Sequence, residues 1–208
     1  MIRQKQIILA ARVLSMVFTP FYLSLVGILA VLLFSYLSIA PLGYKLSLLA
    51  TVYVFTILCP ALFIHQFRRV LGWTSFELGR KERRMVPYII SILCYAACYI
   101  WLEMCHYPHF MNIIIMAALL IQMLCAMINI WWKISTHTAA IGGVAGVLQA
   151  FALLFGFNPT WWLCVVLVIA GMVGSSRMVL RQHTLGQVIG GFGTGLVASF
   201  ALIILNYM

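Results

Sequence analysis

The sequence predicts an all-α fold: a polytopic transmembrane helical bundle with about six to seven spans. Three observations lead there. Hydrophobic residues make up 65% of the 208 positions and charged residues only 8%. A soluble domain carries about 25% charged residues, and disorder needs low hydrophobicity, so both are excluded. The apolar runs approach or exceed the ~20 residues a helix needs to cross a ~30 Å hydrocarbon core. They also lack the short apolar–polar alternation of a membrane β-barrel. The chain reads as a single membrane-embedded domain over residues 1–208.

Seven apolar runs follow one another, at about 13–39, 46–64, 87–104, 110–132, 138–155, 161–174 and 185–205. Basic residues precede the first run as in a signal peptide, but no small-residue cleavage site follows. The first run is therefore expected to be an uncleaved span. Pro87 stands where a helix begins, a position that tolerates proline. Asn158-Pro159 turns the chain between the fifth and sixth runs. Trp131, Trp132, Trp161 and Trp162 sit at run ends, as interfacial aromatics do. Gly142-x3-Gly146, Gly186-x3-Gly190 and Gly191-x3-Gly195 are small-xxx-small faces that let helices approach closely. Packing of the fifth and seventh spans through these faces is expected to bring His137 and His183 near each other.

Thirteen Lys and Arg face three carboxylates, Glu77, Glu82 and Glu103, for a net charge of +10. So few carboxylates argue against a Mg²⁺ or Ca²⁺ site, and no metal or cofactor is expected. The six cysteines form no C-x2-C pair and lie mostly in apolar runs, as small core residues do. The cations suit an anionic lipid or membrane surface. They cluster in short loops rather than on a soluble module, so nucleic acid is not an expected partner. With seven spans, twelve of the thirteen cations fall on the N-terminal side and only Lys45 opposite. The positive-inside rule then makes the N-terminal side cytoplasmic. The expected location is a bacterial inner membrane.

Three polar clusters meet on that side. They are Arg80-Lys81-Glu82-Arg83-Arg84 with Pro87, Lys133-Ile134-Ser135-Thr136-His137, and Ser176-Arg177 through His183 to Gln187. Each holds a cation, and two hold a histidine. Together they resemble the three motifs of the type-2 phosphatidic acid phosphatase superfamily, which also includes vanadium haloperoxidases: K-x6-R-P, P-S-G-H and S-R-x5-H-x3-D. The third motif matches in spacing, with Gln187 in place of the Asp. The second matches as Ser135-Thr136-His137, with Ile134 for Pro and Thr136 for Gly. The first is a compressed match through Lys81, Arg84 and Pro87. The resemblance covers about residues 77–191 and implies a lipid phosphate phosphatase-like core.

The resemblance implies a division of labour. Lys81, Arg84 and Arg177 would clamp a phosphate, with Ser135, Thr136 and Ser176 in the phosphate-binding set. Arginine suits this because its planar fork meets two phosphate oxygens at once. The start of the fifth helix would favour an anion as well. His183 would be the nucleophile, forming a phosphohistidine, and His137 the acid and then the base. Gln187 could accept a bond from His183 Nδ1 but lacks the charge of an Asp. That departure implies a slower enzyme or a compensating group.

The implied activity is metal-independent hydrolysis of a phosphomonoester or diphosphate on a lipid. Two alternatives stand beside it. One is a phosphotransferase passing the group to an acceptor other than water. The other is a non-catalytic lipid-binding relative. Arg68, Arg69, Arg80 and Arg83 read as topology and headgroup charges, and Arg181 as solvated. His65, His106 and His109 carry no assigned role.

Overall fold

The computed structural model describes residues 2–34, 39–72 and 85–207, with side chains for all of these except 2–4, 23, 30, 31, 33 and 34. Every long element among them is a helix: α1 (Ile2–Val17), α2 (Pro20–Phe34), α3 (Leu42–Tyr53), α4 (Cys59–Leu71), α5 (Met85–Met104), α6 (His109–Trp131), α7 (Thr136–Phe155), α8 (Thr160–Val179) and α9 (Leu185–Tyr207). Among the described residues, six helical stretches are long and apolar enough to cross a membrane: Leu42–Leu71 and α5 to α9.

The expected first span is not one helix. The chain leaves the helix at Phe18 and Thr19, and α2 starts at Pro20. Proline lacks the N–H that would bond back one turn, and its ring pushes the preceding residue out of helical geometry. At the first position of a new helix neither defect costs anything. The rest of that expected span, at 35–38, lies outside the described residues.

The sixth span differs in the other direction. The sequence ends it near Gly174, whereas α8 continues through Ser175, Ser176 and Arg177 to Val179. Ser176 Oγ donates to the Met172 carbonyl at 2.8 Å, which satisfies the hydroxyl inside the helix. A cation in the last turn also complements the negative end of the helix dipole. The helix closes on Arg181, in the left-handed region at φ 53°. There Arg181 N–H donates to Met178 O at 2.9 Å and Gln182 N–H to Arg177 O at 3.0 Å, a Schellman closure.

The chain divides into two compact units, Met1–Leu23 with Trp131–Met208, and Ser24–Ile130. In the first, α7 packs on α9 and α8, and α1 packs on α8. The α7–α9 contact is backbone to backbone. A Cβ on Gly142 would overlap the Phe192 carbonyl, and one on Gly195 the Ala139 carbonyl. Ser199 Oγ donates across the contact to Gly143 O at 2.9 Å. The expected close approach of the fifth and seventh spans is thus present. Gly186 and Gly190 serve a different neighbour, the indole of Trp132.

In the second unit, α3 and α4 run on through a π-helical turn at Val54–Leu58. Pro60 follows directly and cannot donate a backbone bond, a defect the wide turn absorbs. Tyr95 is fully buried, its hydroxyl 3.3 Å from Ser24 Oγ. Asn112 Nδ2 donates to Glu103 Oε1 at 3.0 Å, giving that carboxylate a partner. Such polar pairs hold apolar helices together where burial from water supplies no drive.

Candidate functional site

The start of α7 is built around Ser135. Its backbone is extended at φ −88°, ψ 105°, as an N-cap requires, yet its side chain makes no capping bond. Thr138 Oγ1 donates to the Ser135 carbonyl at 3.1 Å, as does Ala139 N–H at 3.0 Å. The Ser135 hydroxyl is buried with no hydrogen-bond partner among the described residues. The N–H groups of Thr136, His137 and Thr138 precede the first intrahelical bond, so this end carries partial positive charge. His137, the second residue of α7, therefore sits where an anion is favoured.

The start of α9 is built around Gln187. Thr184-x-x-Gln187 supplies half of a capping box, with Gln187, the third residue of α9, reaching back to the cap. Gln187 Oε1 accepts the Thr184 N–H at 3.2 Å and lies 3.2 Å from His183 Nδ1. The Thr184 bond fixes which amide atom is the oxygen. His183 Nδ1 must then carry the proton, leaving the lone pair on Nε2. A helix already begun at His183 would put it on one face with Gln187, four residues on. The helix begins only at Leu185, and the contact forms because the glutamine folds back. His183 is 7% exposed, and its Nε2 is buried.

These two starts are joined directly, since Ser135 N–H donates to the Gln187 carbonyl at 3.3 Å. Gly191 permits the approach. A Cβ there would meet the Ser135 carbonyl at 2.5 Å. So the segments carrying His137 and His183 are pinned to each other.

Beside them opens a cavity of about 460 Å³, lined by Arg12, Ser15, Thr19, His137, Arg177 and Gln182 among others. It brings together the end of α1, the start of α7 and the end of α8. Arg177 Nη1 donates to Ser15 Oγ at 2.7 Å. Thr19 Oγ1 is buried with no partner among the described residues. Among the described residues, no carboxylate lines the cavity. Two guanidiniums in its lining give it a basic character.

Of the residues the sequence singles out, His137 and Arg177 share this cavity. His183 does not line it, although its neighbour Gln182 does. Ser135 is buried at the start of α7, and Thr136 is half-buried beside it. Ser176 is buried with its hydroxyl turned back on α8. Lys81 and Arg84 lie outside the described residues. Sequence reasoning missed Arg12, Ser15 and Thr19. The available signal was a cation with apolar residues on both sides, Ile7 to Ala11 before it and Val13 and Leu14 after it, which in a membrane protein points to a site. Among the described residues, no three His, Cys, Asp or Glu side chains group as a metal would need.

Fold and site together define an all-helical protein of the multi-pass membrane class, with a basic, histidine-bearing cavity at one end of a helical unit. Comparison with family models, curated proteins and solved structures finds no match.

Proposed function

We propose that the protein is an integral membrane lipid phosphatase of the type-2 phosphatidic acid phosphatase kind. It would hydrolyse a phosphomonoester or diphosphate on a lipid through a phosphohistidine, without a metal. The observation that supports this most is the shared cavity of His137 and Arg177, forty positions apart in the chain. Two of the three clusters that carry the resemblance contribute to one wall.

In the proposed reaction, Arg177 and the first N–H groups of α7 hold the phosphoryl oxygens, where charge spreads during transfer. His183 Nε2 attacks phosphorus as the bond to the lipid oxygen breaks. Gln187 keeps the Nδ1 proton in place, so that Nε2 is the nucleophilic nitrogen. His137 protonates the leaving alkoxide. It then takes a proton from water, which attacks phosphorus, releases phosphate and restores His183.

The test is phosphate release from phosphatidic acid and other phosphorylated lipids in detergent with EDTA, for wild type, His183→Ala and His137→Ala. Release that survives EDTA and disappears in both variants supports the reading. Release carried out equally by His183→Ala would overturn it. Transfer of the phosphoryl group to an added alcohol, with no free phosphate, marks the transferase alternative.

A specific observation favours the non-catalytic reading as well. Gln187 is neutral and already occupied by the Thr184 cap, and His183 does not line the cavity. Binding of phosphatidic acid with no release from any phosphorylated lipid identifies that case.

A further inference from the structure

A second hollow lies between α8 and α9, within the same compact unit as the cavity. It is an apolar groove of about 290 Å³. On α8 it runs from Met178 to Leu167, and on α9 from Leu185 to Phe192. Two glycines give it its shape. A Cβ on Gly174 would meet Val188 Cγ1 at 2.7 Å, so the two helices close together there. A Cβ on Gly171, just under one turn away, would meet no described atom within 4 Å, so the groove is open at that level. Thr138 lines it from α7. Its hydroxyl is turned to the Ser135 carbonyl, and its methyl would lie 3.9 Å from a Cβ on Gly174. The wall it offers to the groove is therefore apolar.

We propose that this groove binds one acyl chain of a phosphorylated lipid whose phosphate occupies the neighbouring cavity. The assignment rests on the lipid half of the proposed phosphatase reading and not on its chemistry.

Three observations carry it. The first is continuity. His137 lines the cavity and Thr138 the groove, and Arg177 and Met178 divide in the same way. Gln182 lines the cavity and Leu185 the groove, with His183 between them in the chain. A lipid with its phosphate beside the first residue of each pair has the second beside its tail. The next is direction and length. The groove begins at the end of α8 that borders the cavity. From Met178 to Leu167 the helix rises about 16 Å, close to half of a ~30 Å hydrocarbon core. That is the depth the chains of one leaflet occupy. Spread over that length, the volume gives a mean cross-section of about 18 Å². This suits a single hydrocarbon chain and is far less than a helix 10–12 Å across would need. The last is environment. Both helices are long and apolar enough to cross a membrane, and Leu167, Leu185 and Ile189 on them are exposed. Burial from water supplies no drive inside a bilayer. A chain tethered by its headgroup gains the packing contacts instead.

The experiment uses the full-length protein in phosphatidylcholine nanodiscs. The probe is a phosphonate analogue of phosphatidic acid, which cannot be hydrolysed, with a diazirine midway along one acyl chain. Phosphatidylcholine with the same diazirine chain is the control. After irradiation, peptide mass spectrometry should find the phosphonate on groove residues such as Met178 and Ile189, severalfold above the control. Gly171→Phe fills the open level of the groove. It should abolish those crosslinks and weaken phosphonate binding about tenfold, with the melting temperature unchanged. Gly171→Ala, which adds one methyl, should weaken it less. Gly193→Phe adds the same ring to α9 outside the groove, where a Cβ also meets no described atom within 4 Å. It should change neither crosslinking nor binding. A phosphonate with no acyl chain should bind wild type and Gly171→Phe alike.

Gly171→Phe that binds and crosslinks like wild type overturns the inference. Equal labelling of the groove by both probes, the mark of bulk bilayer lipid, also overturns it, and so does a wild type that binds no phosphonate. The phosphatase reading is judged separately, by lipid phosphate release from the wild-type chain. Release without chain-specific labelling leaves that reading standing and the groove refuted. Labelling without release leaves the groove standing and the chemistry refuted.

Discussion

The backbone N–H of Ser135 donates to the carbonyl of Gln187 at 3.3 Å. One residue caps the helix of His137, and the other holds His183. The bond needs no side chain, so any sequence that keeps the α7–α9 approach can make it. What the side chains decide is the chemistry offered at each end.

Gln187 does two jobs, and substitutions separate them. Gln187→Ala removes the acceptor for both Thr184 N–H and His183 Nδ1. Losing the cap bond should cost about 1 kcal/mol, read as a lower melting temperature in detergent. Gln187→Asp returns a charge to the first turn of α9, where a carboxylate is favoured. It should raise the rate of lipid phosphate release about tenfold, because a charged acceptor stabilises a developing imidazolium better than an amide. An unchanged or lower rate in a stably folded Gln187→Asp would remove the reason for regarding the glutamine as a handicap.

The α7–α9 contact predicts a contrast between two glycines two positions apart. A Cβ on Gly195 would overlap the Ala139 carbonyl, a backbone atom that cannot rotate away. Gly195→Ala should therefore cost about 1–3 kcal/mol. Nothing lies within 4 Å of a Cβ on Gly193, so Gly193→Ala should be neutral or slightly stabilising. Thermal denaturation of the two purified variants in one detergent makes the comparison. Equal melting temperatures would count against the close approach.

Sidedness can be read from two thiols. Cys105 is exposed at the end of α5, on the side that the charge count makes external. Arg181, exposed between α8 and α9, belongs to the side expected to face the cytoplasm. A membrane-impermeant thiol reagent on intact cells should label native Cys105. It should spare Arg181→Cys made in a Cys105→Ser background until the cells are opened. The reverse pattern would place the cavity outside.

Much of this arrangement was legible in the sequence. Unbroken apolar runs gave the spans from α5 onward, because length and hydropathy alone decide whether a helix can cross. The glycine spacing gave the α7–α9 contact, since only backbone without Cβ packs that closely. The first run misled for a local reason: hydropathy does not register that Pro20 breaks a helical ladder. Ser176 and Arg177 looked like turn residues. Polar character does not end a helix when the hydroxyl can bond one turn back. Gly186 and Gly190 had the right spacing but the wrong partner, because spacing says nothing about what fills the groove. Arg12 counts with the topology charges in the sequence. That it lines the cavity depends on which helix α1 packs against, and nothing local encodes a contact made across so much chain.

That distance has a consequence for biogenesis. Ser15 and Arg177 are 162 positions apart. At about 5–20 residues per second, α1 is made on the order of ten to thirty seconds before the helix it packs against. During that interval Ala11 and Ser15, buried in the finished structure, have only lipid, the insertion machinery or other helices to lie on. Arg12 must wait without Arg177 beside it. The basic cavity is thus among the last features to assemble, and a ribosome that stalls before α8 leaves an inserted chain without it.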